Sequence, residues 1–185
     1  MKFLTSLAAA SILLISHLHG QAIDNADFSK GRTGWQGDGK VIYIAADGTL
    51  SDRPSPDTTP ALRIDLSKND WREIHQRLSA KAAESEISYS VQVMAAPAFV
   101  RLPESKKYTS DFSEGGTWYW TNLVYPKCDF LIRVKDGGWH YRPFSLAPVG
   151  QWKSYSATFS DLKERKRELA LLFPPGTGYV LLKGK

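Results

Sequence analysis

Apolar and polar residues alternate with a period of two in several separate stretches of this chain. The clearest stretches are Leu62 to Leu66, Ile87 to Val93, Phe130 to Val134 and Tyr155 to Phe159. Such alternation is typical of β-strands that bury one face, and no segment after residue 22 sustains the 3.6-residue period of an amphipathic helix. Glycine- and proline-rich breaks separate the stretches. The pattern therefore predicts an all-β fold, a sandwich of antiparallel strands.

The first 22 residues have the layout of a secretory signal peptide. One positive charge, Lys2, precedes an apolar run from Phe3 to Ile15, which is shorter than the roughly 20 residues that a helix needs to cross a bilayer. Small residues place the cleavage site after Ala22, with Gly20 as the alternative. We therefore expect a secreted or periplasmic protein with no stable membrane insertion once the signal peptide is removed.

Residues 23–185 fit one domain, which is long enough to bury a core. Within it, residues 97–127 show weak alternation and many polar side chains, and we interpret this stretch as an irregular insertion, either a long loop or a decorated hairpin. Cys128 is the only cysteine, so the chain cannot form an internal disulfide. We expect its side chain to be a small buried apolar group.

The charge pattern and the motifs exclude several classes of function. The densest basic cluster, residues 163–168, is interrupted by two glutamates, so we interpret it as solvated surface and expect no nucleic-acid partner. The sequence contains no phosphate-binding loop, no dinucleotide-binding glycine pattern and no cysteine or histidine spacing suited to zinc. Only His75 and His140 follow the signal peptide, and their separation argues against a metal site.

Four segments together carry a family resemblance: residues 25–35, 71–93, 152–159 and 178–182. The first contains an Asn, an aromatic residue, glycines and Gly34-Trp35, and the second places Gln76 among apolar residues. This set resembles carbohydrate-binding modules with the galactose-binding-like jelly-roll fold. The resemblance implies a jelly-roll β-sandwich and a secreted, non-catalytic protein that binds a poly- or oligosaccharide. Independently of the resemblance, Ile74, Gln76 and Leu78 share one strand face, so we expect Gln76 to point inward and to require hydrogen-bond partners from the backbone.

The resemblance also bears on cofactors. Modules of this fold often bind a structural calcium ion beside an acidic residue in the last strand. Here that position holds Lys183, Gly184 and Lys185, so we expect neither calcium nor any other cofactor.

Aromatic residues crowd the region that follows the middle of the chain. Sugar rings present C–H faces that stack on Trp and Tyr, while neighbouring polar groups bind the hydroxyls. We therefore predict a ligand-binding site formed by Trp118, Trp120, Tyr125, Trp139, His140 and Tyr141. The alternative is that these rings belong to the core of the sandwich.

Two other functions remain open at this stage. Residues 72–76 and 140–142 contain histidine, tyrosine, arginine and glutamate, which could serve as base, acid and charge neutraliser in a small jelly-roll polysaccharide lyase. For a hydrolase no carboxylate pair stands out, and we interpret Asp129 and Asp136 as loop and turn residues. We therefore predict no catalytic residue. The third possibility is a protein-interaction module in an envelope assembly.

Overall fold

The computed structural model describes residues 23–79, 85–101, 108–112, 116–120 and 129–184, and in these ranges the regular structure is entirely β. The strands are β1 (Gln36–Gly37), β2 (Lys40–Ile44), β3 (Leu50–Ser51), β4 (Thr59–Asp65), β5 (Arg72–Ser79), β6 (Ile87–Ala95), β7 (Val100–Arg101), β8 (Tyr108–Phe112), β9 (Gly116–Trp120), β10 (Phe130–Asp136), β11 (Gly138–Phe144), β12 (Lys153–Phe159), β13 (Lys166–Phe173), β14 (Gly176–Thr177) and β15 (Tyr179–Gly184). The predicted all-β fold is confirmed.

Two antiparallel sheets form the sandwich. The front sheet has the order β1-β5-β13-β10-β11, and the back sheet has the order β12-β6-β15-β4-β2-β3. Two further pairs, β14 with β7 and β8 with β9, are small. The β8–β9 pair is a hairpin within residues 97–127, with Tyr108 opposite Trp120 in the register.

The core lies between the sheets and follows the period of two. In β6, Ile87, Tyr89, Val91 and Val93 are at most 3% exposed, while the intervening residues face outward. The same alternation holds in β12, where the buried residues alternate with exposed serine, threonine and lysine. Because successive side chains of a strand point to opposite faces, the sequence pattern alone identifies the inward set.

The N-terminal segment packs against this core through Gln76 of β5. The Gln76 side chain is 3% exposed. Its amide nitrogen donates to the Asp24 carbonyl at 2.9 Å, and its amide oxygen accepts from the Asp24 backbone nitrogen at 2.9 Å. Trp35 is buried as well and donates from Nε1 to the Asn25 carbonyl at 3.2 Å. The prediction that Gln76 points inward and bonds to backbone is confirmed.

Strand β10 departs from the simple alternation because it is buried on both faces. Leu131 and Arg133 point outward, yet they are only 1% and 6% exposed. A second apolar cluster covers this part of the front sheet: Leu131, Ala170 and Leu172, with Trp71 and Tyr141 packed against them. The outer face of β10 is therefore solvated at Lys135 but covered at Leu131 and Arg133, which departs from the one-sided burial expected of this strand.

The basic cluster at residues 163–168 is only partly solvated, and it contacts the turn after β10. Lys163 to Lys166 are exposed, as expected for solvated surface. Arg167, in contrast, is 4% exposed, and its Nε lies 3.5 Å from Oδ1 of Asp136. The Asp136 carboxylate also accepts bonds from the backbone nitrogens of Lys163 and Glu164 at 2.7 and 2.6 Å. Asp136 does lie at the tight turn between β10 and β11, as interpreted, but its side chain is a buried anchor for the segment that precedes β13.

No helix with the length and apolar character needed to cross a membrane occurs in the described ranges. The predicted signal peptide, residues 1–22, and Cys128 lie outside the described residues.

Candidate functional site

The outward-facing side chains of the front sheet form two polar rows across its four long strands. The strand register aligns His75, Ala170, Arg133 and Tyr141 in one row. The adjacent row contains Arg77, Glu168, Lys135 and Trp139. Because Ile74, Gln76 and Leu78 of the same strand β5 point into the core, these rows lie on the outside of the sandwich. We call this surface the front face.

Two aromatic rings lie together at the edge of the front face. Trp139 and Tyr141 are two positions apart in β11, so both project to the same side. Their ring centroids are 6.5 Å apart and the ring planes differ by 27°. Trp139 is 38% exposed, which makes it one of the few large apolar side chains of the described residues that meet solvent. The pair forms a partly open aromatic platform.

Two cations lie over the ring of Trp139. The guanidinium carbon of Arg133 is 4.2 Å from the centroid of the Trp139 ring, and Nζ of Lys135 is 4.9 Å from it. Both distances are within the range for cation–π attraction. The orientation of the Trp139 ring is therefore coupled to two neighbouring side chains of β10.

An ionic network connects Arg133 to the other strands. Its Nη2 donates to Oε1 of Glu73 and to Oε1 of Glu168, each at 2.9 Å. Nδ1 of His75 lies 3.2 Å from the same Glu73 oxygen. The Arg133 side chain is 7% exposed, and its Nε has no hydrogen-bond partner among the described residues. Charge-assisted bonds of this kind hold the carboxylates and the guanidinium in fixed positions.

The predicted site residues are only partly brought together. Trp139 and Tyr141 are neighbours, whereas His140 faces the other side of β11, opposite Val134 of the core-facing set. The backbone of Trp118 and Trp120 lies in β9, but their side chains are not among the described parts of the structure. Tyr125 lies outside the described residues altogether.

The clusters on which the lyase hypothesis depends are divided between opposite faces. Glu73 and His75 are on the front face, but Gln76 is in the core, and Arg72 lies 3.3 Å from Asp38. The second cluster is divided in the same way, since His140 and Tyr141 are adjacent in β11. Among the described ranges, no group of three or more His, Cys, Asp or Glu side chains is placed to hold a metal ion.

Sequence reasoning missed Arg133 and Glu168 as parts of the site. Arg133 belongs to a strand whose alternation was clear, and Glu168 precedes an apolar run, but the partners of Arg133 are 60 and 35 residues away in the chain. The only sequence signal was charge at outward-facing positions of a strand otherwise rich in apolar residues.

Comparison with known proteins finds matches among solved structures. No family model and no curated protein matches the chain. The structure is similar to TmCBM61, solved in complex with β-1,4-galactotriose, with a TM-score of 0.52 and 12% sequence identity over 88% of this chain and 94% of that one. The chain has the jelly-roll fold of carbohydrate-binding modules. The predicted fold resemblance is thereby confirmed, and at this identity it extends to the fold alone.

Two further solved structures show a weaker likeness. A family 16 carbohydrate-binding module has a TM-score of 0.46 and 14% identity, covering 86% of this chain and 94% of that one. The CBM22-1 xylan-binding domain of Paenibacillus barcinonensis Xyn10C has a TM-score of 0.46 and 15% identity, covering 85% and 87%.

Proposed function

We propose that this protein is a carbohydrate-binding module-like protein that binds a poly- or oligosaccharide on the front face without transforming it. The observation that carries the proposal is the partly exposed, stacked pair of Trp139 and Tyr141 beside ordered charged groups. The jelly-roll fold supports the proposal, because it is the fold of modules that serve this purpose.

The geometry suits a sugar chain. Pyranose rings present flat patches of C–H groups, which pack on aromatic rings, and the Trp139–Tyr141 pair extends such a surface over two neighbouring rings. The carboxylates of Glu73 and Glu168 and the ring of His75 lie on the same face, where they can bond to hydroxyl groups. A few polar groups in fixed positions beside an apolar platform are what orients a ligand.

The remaining predicted contacts stay part of the proposal. Trp118, Trp120 and Tyr125 would extend the aromatic platform from the 97–127 insertion. His140 would contact a ligand only around the edge of β11, because its side chain faces away from the platform.

Export also remains part of the proposal. A signal peptide over residues 1–22 would deliver the domain to the secreted or periplasmic space, where polysaccharides are encountered. Mass spectrometry of the intact protein recovered from a secreting host tests this, since cleavage after Ala22 would give a mature chain that begins at Ile23.

The arrangement of side chains on the front face suits ligand binding better than a polysaccharide lyase reaction. A lyase needs its base and its acid on the same sugar, whereas His75 and Tyr141 are three inter-strand spacings apart, roughly 14 Å between their backbones. Assays for new absorbance from unsaturated sugar ends test the lyase, and turnover abolished by H75A would replace the binding proposal.

Affinity electrophoresis of the mature protein through gels that contain different polysaccharides tests the proposal. We expect at least one polysaccharide to retard the protein, and we expect Trp139→Ala and Tyr141→Ala to reduce the retardation. Trp152→Ala is the matched control, because Trp152 lies in an apolar cluster of the back sheet.

Each variant must first show a cooperative unfolding transition, which establishes that it is folded. The proposal fails if the folded wild-type protein is retarded by none of the polysaccharides. It also fails if Trp152→Ala weakens retardation as much as Trp139→Ala does, because the front face would then have no special role.

A further inference from the structure

We propose that the front face selects anionic glycans, namely chains that carry carboxylate or sulfate groups, and that Lys135 and Arg77 make the selection. This inference rests on the proposed function, since it concerns the ligand class of the same site. Its basis is an excess of unpaired positive charge beside the aromatic platform.

The two cations share one row with the exposed ring. Arg77, Glu168, Lys135 and Trp139 occupy successive strands of the front sheet at one level. Both Arg77 and Lys135 are exposed, and neither forms an ion pair within the described part of the chain. They stand two inter-strand spacings apart, roughly 10 Å between their backbones. A chain lying along this row would pass both charges and the Trp139 ring.

The acidic residues of the front face are already engaged. Glu73 and Glu168 both accept bonds from Nη2 of Arg133 at 2.9 Å. Both carboxylates therefore already compensate Arg133, and two carboxylates cannot balance all three cations. The two rows contain the cations Arg77, Arg133 and Lys135 and the carboxylate of Glu168, and Glu73 lies one step beyond the His75 row. The front face therefore carries three cations against two carboxylates.

The charged residues just beyond the rows do not reverse this balance. Lys166 is exposed at the start of β13, one step past the Arg77 row, and Glu164 lies beside Gly137 at the β10–β11 turn. These two side chains have opposite signs. The positive excess of the rows therefore persists at the edge of the face.

The position of Lys135 couples charge recognition to ring stacking. Its Nζ lies 4.9 Å from the centroid of the Trp139 ring. A sugar stacked on that ring would bring an acidic substituent close to the ammonium group, whereas a neutral sugar would gain little from it. Attraction between exposed charges is screened over about 8 to 10 Å at physiological salt, so the preference is expected to weaken as salt is added.

The test compares polysaccharides that differ in charge but share a backbone. De-esterified and fully methyl-esterified polygalacturonate form the carboxylate pair, and dextran sulfate and dextran form the sulfate pair. In affinity electrophoresis at low salt, we expect tighter binding to the charged member of at least one pair, by about fivefold or more. The pair that shows the difference identifies the acidic group.

Substitutions then locate the selection. Lys135→Gln and Arg77→Gln should each weaken binding to the charged polymer about two- to fivefold more than binding to its neutral partner, which is the range for one exposed ion pair. Lys153→Gln is the matched control, because Lys153 is exposed on β12 of the back sheet and its loss changes the net charge equally.

The outcomes separate this inference from the proposed function. Equal binding to charged and neutral polymers, with retention still lost in Trp139→Ala, overturns the anionic preference and leaves the binding proposal in place. If Lys153→Gln weakens binding to the charged polymer as much as Lys135→Gln does, the anionic preference of the front face is overturned as well. Only the total charge of the protein would then matter. If the folded protein is retained by none of the four polymers and by no other polysaccharide, both the anionic preference and the binding proposal are overturned.

Discussion

Arg133 and Trp139 form the contact on which the front face is organised: the guanidinium carbon lies 4.2 Å from the centroid of the indole ring. The same guanidinium bonds to carboxylates from β5 and β13. Arg133 thus connects a partly exposed ring at the sheet edge to the interior strands. Because its side chain is only 7% exposed, the charge depends on these partners for its stability.

Arg133→Met should destabilise the protein substantially. The substitution keeps the apolar stem but leaves Glu73 and Glu168 close together without their shared cation. Removing one partner of a buried ion pair costs about 3 to 5 kcal/mol, and we expect about 2 to 4 kcal/mol here because the carboxylates remain 29% and 22% exposed. Urea unfolding measures the difference in free energy of unfolding.

The triple substitution Arg133→Met, Glu73→Gln and Glu168→Gln is the control for that experiment. It removes the unpaired charges, so most of the lost stability should return. If the triple variant is no more stable than Arg133→Met alone, the loss comes from packing of the arginine rather than from stranded carboxylates.

Gln76→Leu should cost about 1 to 3 kcal/mol of stability, although leucine fits the apolar surroundings. The reason is that the backbone nitrogen and carbonyl of Asp24 would each lose a partner at 2.9 Å. Gln92→Leu is the matched control, since Gln92 faces outward and its amide lies 3.5 Å from the Ser154 hydroxyl. Thermal unfolding of both variants checks this, and equal melting temperatures would contradict it.

The fold could be predicted from the sequence to a large extent because strand faces depend on local alternation. In β6 and β12 the inward residues follow directly from the period of two, whatever strand lies alongside. Gln76 could be assigned to the core by the same rule.

The site could be predicted only where it is local. Trp139 and Tyr141 share a face because they are two positions apart, and the sequence shows that spacing. The contribution of Arg133 depends on Glu73 and Glu168 in other strands, and that arrangement exists only once the register of β5, β13 and β10 is set. The burial of the Asp136 side chain was missed for the same reason, because its partner Arg167 is distant in sequence.

Gly178→Ala should be far more destabilising than Gly48→Ala. Both glycines have positive φ, 81° and 84°, so each substitution carries a conformational cost of about 1 kcal/mol. A Cβ at Gly178 would in addition collide with the carbonyl of Ala98, whereas one at Gly48 would meet nothing within 4 Å. We expect a loss of about 3 kcal/mol or more at position 178 in chemical unfolding. Equal losses at both positions would show that only φ matters.

Tyr89→Phe should change the free energy of unfolding little at neutral pH, and the variant should lose less stability than the wild type as the pH is raised into the alkaline range. The Tyr89 hydroxyl is buried without a hydrogen-bond partner among the described residues, so removing it is expected to alter the free energy of unfolding by no more than about 1 kcal/mol. Burial also raises the pKa of this tyrosine well above its usual value. The unfolded chain therefore releases the proton from about pH 10 upward, while the folded protein retains it.

Because the unfolded state binds fewer protons in that range, stability falls as the pH rises, by up to about 1.4 kcal/mol per pH unit from this group. Burial raises the pKa of Tyr155 too, so part of the alkaline loss should persist in the variant. Urea unfolding of both proteins at about pH 7 and about pH 11 measures the effect. Parallel losses in wild type and Tyr89→Phe would mean that Tyr89 ionises in the folded protein as easily as in the unfolded chain.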